Sequence, residues 1–309
     1  DKYQEYKRHK MMSDTLQITK SQYRTKNRFL QFLSRLIKEK PLGTFGLSVV
    51  LIMIVMAIFA ETLSPYDYDE VTLIDRMQGP SMTHLMGTDQ VGRDLLSRII
   101  YGARISLTVG ILATAINVSV AIIVGGSSGF IGGKFDLLIQ RFVDAYIAFP
   151  SLLLLLTLMS IVGQGLVQII MVLGVSGGLE GSRVLRGAVI AIKENDYFLA
   201  SEAMGSGRVR TFIKHTIPNI LPIIIISFSI TIGGVMLSEA AISFLGFGLP
   251  REIPTWGGLL SQEGRQFMEI APWLAFWPGA CLTLVIYSLN MFGDAMRDLL
   301  DPRLRGSGN

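Results

Sequence analysis

Few residues in this chain of 309 are placed to do chemistry of their own. The stretch GGSSGFIGGKFD, residues 125–136, has the glycine content of a phosphate cradle. A nucleotide loop would need a Ser or Thr after Lys134 to meet magnesium, where Phe135 stands, and a glycine five residues before Gly133, which is missing. These glycines read instead as turn and close-approach residues of membrane helices. Hydrolytic chemistry fares no better. The three histidines, His9, His84 and His215, are scattered through a tail and two loops, and there is no HExxH. No Gly-x-Ser-x-Gly elbow frames a usable nucleophile, the nearest pieces lying in glycine-rich turns. The single Cys281 excludes an intramolecular disulfide and any Cys-based metal cluster.

Ionisable groups inside apolar stretches are rare. Glu239 is one, and a charge there faces a cavity or a partner rather than lipid. Two readings follow: Glu239 lines a polar pathway and meets a cationic group of a cargo, or it makes a structural hydrogen bond or stands protonated in an apolar site. The structural reading is preferred. Arg141 and Asp144, three apart on one helical face, form a local pair. Asn117 and Asn290 hydrogen-bond across helices by default, with Asn117 kept beside Glu239 as a pathway candidate.

The most informative stretch is YFLASEAMGSGRVRTFIKHTIPNILP, residues 197–222, a polar and basic segment between long apolar ones. Gly205 and Gly207 punctuate it; Arg208, Arg210 and Lys214 make it cationic. It reads as two short helices meeting at the glycines. Leu199, Ala200, Ser201, Glu202, Ala203, Met204, Gly205, Ser206, Gly207, Arg208 and Arg210 then form a docking surface through which a soluble partner moves the membrane part. Arg208, Arg210 and Lys214 serve equally well as cytoplasmic anchors of the next span.

The elements that must position this loop are helices in a bilayer. The chain is 50% hydrophobic and 17% charged, where a soluble domain is nearer a quarter charged, so the expected fold is all-α and polytopic. No cleavable signal peptide is expected, because about forty polar, basic residues precede the first apolar block. Within them, residues 26–40 show an amphipathic basic pattern, with Phe29, Phe32, Leu33, Leu36 and Ile37 on one face. That helix either lies on the membrane surface or packs against spanning helices. Residues 1–41 are thus a cytoplasmic tail and 42–309 a transmembrane domain. Six spans are expected, at about 42–63, 105–130, 137–162, 166–185, 220–245 and 272–296. Outer loops fall at about 64–101 and 246–271, and the central loop at about 186–217. Lys and Arg crowd the N-terminal tail and the central loop while 64–101 is acidic, which places both termini and the central loop in the cytoplasm.

At the central loop the chain resembles the EAA-loop permeases of bacterial ABC importers, and within them the C-type subunit of dipeptide and oligopeptide permeases. Aligned on Gly205 and Pro218, the Glu-Ala-Ala positions fall on Leu199, Ala200 and Ser201, so Leu199 replaces the family glutamate and Glu202 stands three residues on. Four further stretches carry the resemblance: GTDQVGRDLLSRIIYGARISL from Gly87, AFPSLLLLL from Ala148, LSEAAISFLGFGLPREIPTWGGLL from Leu237, and NMFGDAMRDLLDPRLR from Asn290. A second departure is GGLEGSR at 177–183, where the family often has an aromatic and a proline. The resemblance implies a non-catalytic, multi-pass subunit of the bacterial plasma (inner) membrane with the type I ABC importer architecture. It implies a homologous second permease as heterodimer mate, two cytoplasmic ATPases that carry the ATP and magnesium, an extracellular or periplasmic peptide-binding protein, and no nucleic-acid partner. Nickel or another small solute is the alternative cargo. A secondary transporter or channel is the alternative class; it predicts inverted repeats and several midplane charges, and no convincing repeat is present.

Overall fold

The computed structural model describes residues 28–195, 198 and 207–300. Among the described residues the fold is helical, without a strand. Helix α1 (Arg28–Glu39) turns at Lys40 into α2 (Pro41–Ile58), which starts with a proline whose missing N–H costs nothing at a helix start. A short helical turn, Ala60–Leu63, follows it. The next long helix, α3, runs Leu95–Ile131 through a π-helical stretch at Ile122–Gly126. Then come α4 (Gly133–Ile147), α5 (Ser151–Val162), α6 (Leu166–Lys193) and α7 (Arg208–Phe244). A short helix α8 (Trp256–Leu259) precedes the final α9 (Trp273–Leu300).

By length and apolarity α2, α3, α7 and α9 can each cross a membrane. Helices α4 and α5 qualify together, bent by 90° where Ala148–Pro150 interrupts them; proline disfavours the helical conformation in the residue before it. The 28-residue α6 is long enough, but Glu180, Arg183 and Arg186 interrupt its apolar run. Apolar residues also cover the outside, among them Leu42, Phe45, Ile52, Val55, Leu138, Phe142, Leu153 and Phe276, as lipid contact requires.

Two cores hold the bundle. One joins α2, α3, α7, α8 and α9 through Met53, Leu95, Ile99, Leu107, Met236, Trp256, Leu274 and Val285. The other joins α3, α5, α6 and α7 through Val109, Ala113, Leu155, Met159, Ile169, Leu173 and Ile242. Small residues set the closest crossings: a Cβ on Gly46 would lie 2.4 Å from the Ser288 carbonyl oxygen, so α2 and α9 meet backbone to backbone.

Three boundaries differ from the sequence reading. Helix α3 begins at Leu95, not near residue 105, because Asp94 caps it: the Asp94 carboxylate accepts from Ser97 N and Ser97 Oγ, each at 2.8 Å. Helix α6 runs on to Lys193 rather than ending near residue 185, its charged last turns tied to neighbouring helices. The third span is two helices rather than one. Helix α1 takes the packed alternative. Leu36 is fully buried against Ala295 and Leu299 of α9, and Lys40 pairs with Asp298.

Candidate functional site

The central loop joins α6 to α7, and Leu199–Ser206 lie outside the described residues. That covers Leu199, Ala200, Ser201, Glu202, Ala203, Met204, Gly205 and Ser206. What is described is how the loop's two ends are held. Phe198, fully buried, meets Phe130 edge-on with ring centroids 6.0 Å apart. Beyond the loop, Phe212 meets the same Phe130 at 5.0 Å. Phe130 belongs to the last turn of α3, so one side chain of the second long helix touches both ends of the loop. Lys193 Nζ donates to the Phe130 carbonyl at 2.8 Å and stands 5.9 Å from its ring centroid, adding a cation–π contact.

The surrounding polar groups brace the same end of the bundle. Arg186 of α6 donates from Nε to Asp136 of α4 at 2.7 Å, Ser128 of α3 donates to Asp136, and Gln140 donates to Ser128 at 3.1 Å. Arg141 and Asp144 form the expected local contact at 3.4 Å, and Arg183 of α6 also pairs with Asp144. Gly207, Arg208, Val209 and Arg210 all stand exposed where α7 begins, with Val209 72% exposed. This start of α7 presents two cations and an apolar side chain on the surface of the chain.

Above this end lies an open cavity of about 460 Å³ between α3, α6, α7 and α9, walled by Val118, Ala121, Leu185, Ile223 and Ile230, with Arg297 at its edge. A smaller, more polar cavity of about 210 Å³ continues from it, lined by Ser151, Ser176, Glu180, Thr231 and Ser238. Asn117 and Thr231 line both. Asn117 is buried against α6: a Cβ on Gly177 would come 2.2 Å from its Nδ2. Glu239 lines neither cavity. It is 1% exposed and accepts from Ser243 Oγ at 2.8 Å, where α7 packs on α8. Sequence reading missed the aromatic contacts around Phe130 and the carboxylate Glu180. The signals were there: phenylalanines flanking a polar loop, and a lone acid in an apolar run.

The opposite end of the bundle is closed by a polar clasp. Asp89, fully buried, accepts from Val91 N and Arg93 N at 2.9 Å each and pairs with the Arg93 side chain. Arg93 then donates to Glu263 at 2.8 Å, and Arg98 stands 3.5 Å from the same oxygen. Burial pushes the Glu263 carboxyl up, against the opposing pull of Arg98 and Arg93. Gly92 permits the turn: its φ is +83°, and a Cβ there would lie 1.9 Å from the Thr72 carbonyl oxygen. Trp256, with no exposed surface, donates from Nε1 to the Ile99 carbonyl at 3.1 Å, and Trp273 Nε1 donates to the Thr88 carbonyl at 3.2 Å. The segments after α2 and after α7 are thus fastened to each other and to the helix start at Leu95.

Comparison with known proteins gives two family matches. Residues 118–306 match the binding-protein-dependent transport system inner membrane component, and residues 29–80 match the N-terminal transmembrane domain of oligopeptide transport permease C. The oligopeptide transport system permease protein OppC of Bacillus subtilis (strain 168) is 35% identical over 87% of this chain and 88% of its own length. The dipeptide transport system permease protein DppC of Alkalihalophilus pseudofirmus is 38% identical over the same shares. The glutathione transport system permease protein GsiD of Pectobacterium atrosepticum is 33% identical over 89% of this chain and 91% of its own.

Proposed function

The chain belongs to the family of binding-protein-dependent transport system inner membrane components, and from that membership we propose that it is the C-type permease subunit of an ATP-driven importer of dipeptides or oligopeptides. The cargo is read from the named activities of its relatives, which are oligopeptide, dipeptide and glutathione transport; these favour peptide over nickel. The partners follow from the same reading: a homologous second permease, two cytoplasmic ATPases that bind ATP and magnesium, and a peptide-binding protein at the outer face. This subunit supplies half of the pathway and no catalysis.

The reading takes six spans, with α4–α5 as the third and α6 as the fourth. An even number leaves both termini in the cytoplasm, where the basic tail and the exposed Arg208 and Arg210 favour them. The clasp of Arg93 and Glu263 then faces outward, beneath the binding protein.

The observation that carries the coupling mechanism is the contact of Phe130 with Phe198 and Phe212. ATP-driven closure of the partner ATPases moves the segment between Phe198 and Gly207. Because both ends of that segment grip α3, the motion tilts α3 and α7 together rather than bending a slack loop. The cavity between those helices opens or closes with them. The two states must differ in affinity for cargo, since a ligand bound equally by both shifts nothing.

The test is peptide uptake into proteoliposomes holding the complete complex, with Arg208→Glu and Arg210→Glu made together. Uptake and peptide-stimulated ATP hydrolysis are expected to fall, with the ATPases lost on co-purification or left uncoupled. Undiminished uptake in the double variant would overturn the coupling role, and a wild-type complex that moves no peptide would overturn the cargo.

A further inference from the structure

Glu180 stands near the midpoint of the 28-residue α6, about 21 Å from either end at 1.5 Å per residue. If α6 spans the bilayer, that is the depth at which an ionised carboxylate is most costly in lipid. Yet Glu180 is exposed on the surface of the chain, and among the described residues it has no hydrogen bond or ion pair. The neighbouring arginines of α6 are engaged elsewhere: Arg183 with Asp144 and Arg186 with Asp136. Contrast Glu239, which is buried at a helix contact and held by Ser243. One acid is built into the protein, and the other faces out of it.

The surroundings of Glu180 are polar on one side only. It shares the smaller cavity with Ser151, Ser176, Asn117, Thr231 and Ser238, five side chains that can hydrogen-bond. Ser151 begins α5 just after the 90° break, so the chain turns at this cavity, and irregular backbone at membrane depth is tolerated where it lines one. Among the described residues no cationic side chain lines that cavity. An unpaired carboxylate among neutral donors and acceptors is suited to a cation that comes and goes.

We propose that Glu180 is a cargo-contacting residue that recognises a cationic nitrogen of the peptide as it passes, either its α-ammonium or a Lys or Arg side chain. This rests on the peptide-import reading and adds to it a polar station partway through the membrane, with Asn117, Ser176 and Thr231 taking the peptide's amide groups. The binding protein selects cargo first. Glu180 adds a second, charge-sensitive selection within the membrane. The attraction has to remain weak enough for release inward, and the larger, mostly apolar cavity beyond supplies no second carboxylate to hold the cation.

The experiment uses the complete complex with its binding protein in proteoliposomes, comparing wild type with Glu180→Gln and Glu180→Asp. Four tripeptides of matched size are supplied: free or acetylated at the N-terminus, and with Lys or norleucine in the middle. Each variant's uptake is divided by wild-type uptake of the same peptide, which cancels the binding protein's own preference. Loss of one charge-assisted hydrogen bond predicts that Glu180→Gln lowers kcat/KM for the recognised class by about tenfold relative to the doubly neutral peptide. Glu180→Asp, which keeps the charge, is expected to restore most of it. A selective loss for free N-termini identifies the α-ammonium as the ligand, and one for Lys identifies the side chain. Equal scaling of all four peptides by Glu180→Gln, including loss of assembly on co-purification, overturns the inference and leaves peptide import standing. A wild-type complex that imports none of them removes the underlying reading instead.

Discussion

Replacing Gly125 with alanine tests whether the α3–α6 crossing, the most extensive helix pairing in the chain, is set by backbone contact. A Cβ at Gly125 would lie 1.9 Å from the Ser182 carbonyl oxygen and 2.6 Å from its carbon. Carbon and oxygen ordinarily approach to about 3.3 Å, so the helices have to part by about 1.4 Å at that point. No side chain can swing aside, because the obstructing atoms are backbone. A gap of that order forfeits much of the dispersion attraction along the seam, and overpacking of this kind costs about 1–3 kcal/mol. At about 2.1 cal/mol/K of unfolding entropy per residue, that is a fall of about 2–5 °C in apparent Tm for a chain of this size. The assay is thermal unfolding of the purified complex in nanodiscs, with Gly187→Ala as control. Gly187 lies on the same α6 and a Cβ there meets nothing within 4 Å, so alanine is expected to leave Tm unchanged or raise it slightly. A Gly125→Ala complex as stable as Gly187→Ala would refute the claim that backbone contact sets this crossing.

The Arg93–Glu263 clasp and the Phe130 aromatic contact give two more expectations. Glu263→Met leaves Arg93 and Arg98 facing each other without their shared carboxylate and is expected to destabilise by about 3–5 kcal/mol. Arg93→Met leaves Arg98 for Glu263 but strips the fully buried Asp89 of its side-chain partner, so it is expected to cost a comparable amount, and the double change is expected to cost less than the sum of the two; thermal melts of the four complexes check that order. Phe130→Ala is expected to leave the complex assembled on co-purification but to lower the peptide moved per ATP hydrolysed. Phe135→Ala, at a position 40% exposed on the next helix, serves as the control.

How much of this was legible in the sequence depended on what kind of force fixed each feature. Apolar runs longer than a bilayer is thick declare spanning helices whatever their neighbours, and α2, α7 and α9 lie where those runs lie. Helix ends were less legible, because they depend on capping and on tertiary partners. The run from Leu95 to Arg104 looks like loop by its charge, yet Arg98 is 1% exposed and satisfied in part by Arg251 and Glu263. The polar end of α6 likewise looked like the start of a loop, until Asp136 and the Phe130 carbonyl accounted for Arg186 and Lys193. Ion pairs over such sequence distances leave no local signature.

The same distinction separates Glu239 from Glu180. From sequence, Glu239 stood out as an ionisable group inside an apolar stretch, while Glu180 lay within GGLEGSR, which read as a family departure. What tells them apart is where each side chain ends. Glu239 adjoins Ala240, and a Cβ on Gly257 would come 2.4 Å from Ala240 Cα, so α7 and α8 are packed closely there and leave no room for cargo between them. Glu180 shares its helix with glycines that bring α3 close on one side and leave the other side open: Gly174 and Gly178 are filled by Ile116 and Val120, whereas Gly187 meets nothing. An acid at the boundary between a sealed seam and an open cavity is poised to meet something other than its own chain. The residues that made the 177–183 segment look atypical are the ones that shape that boundary.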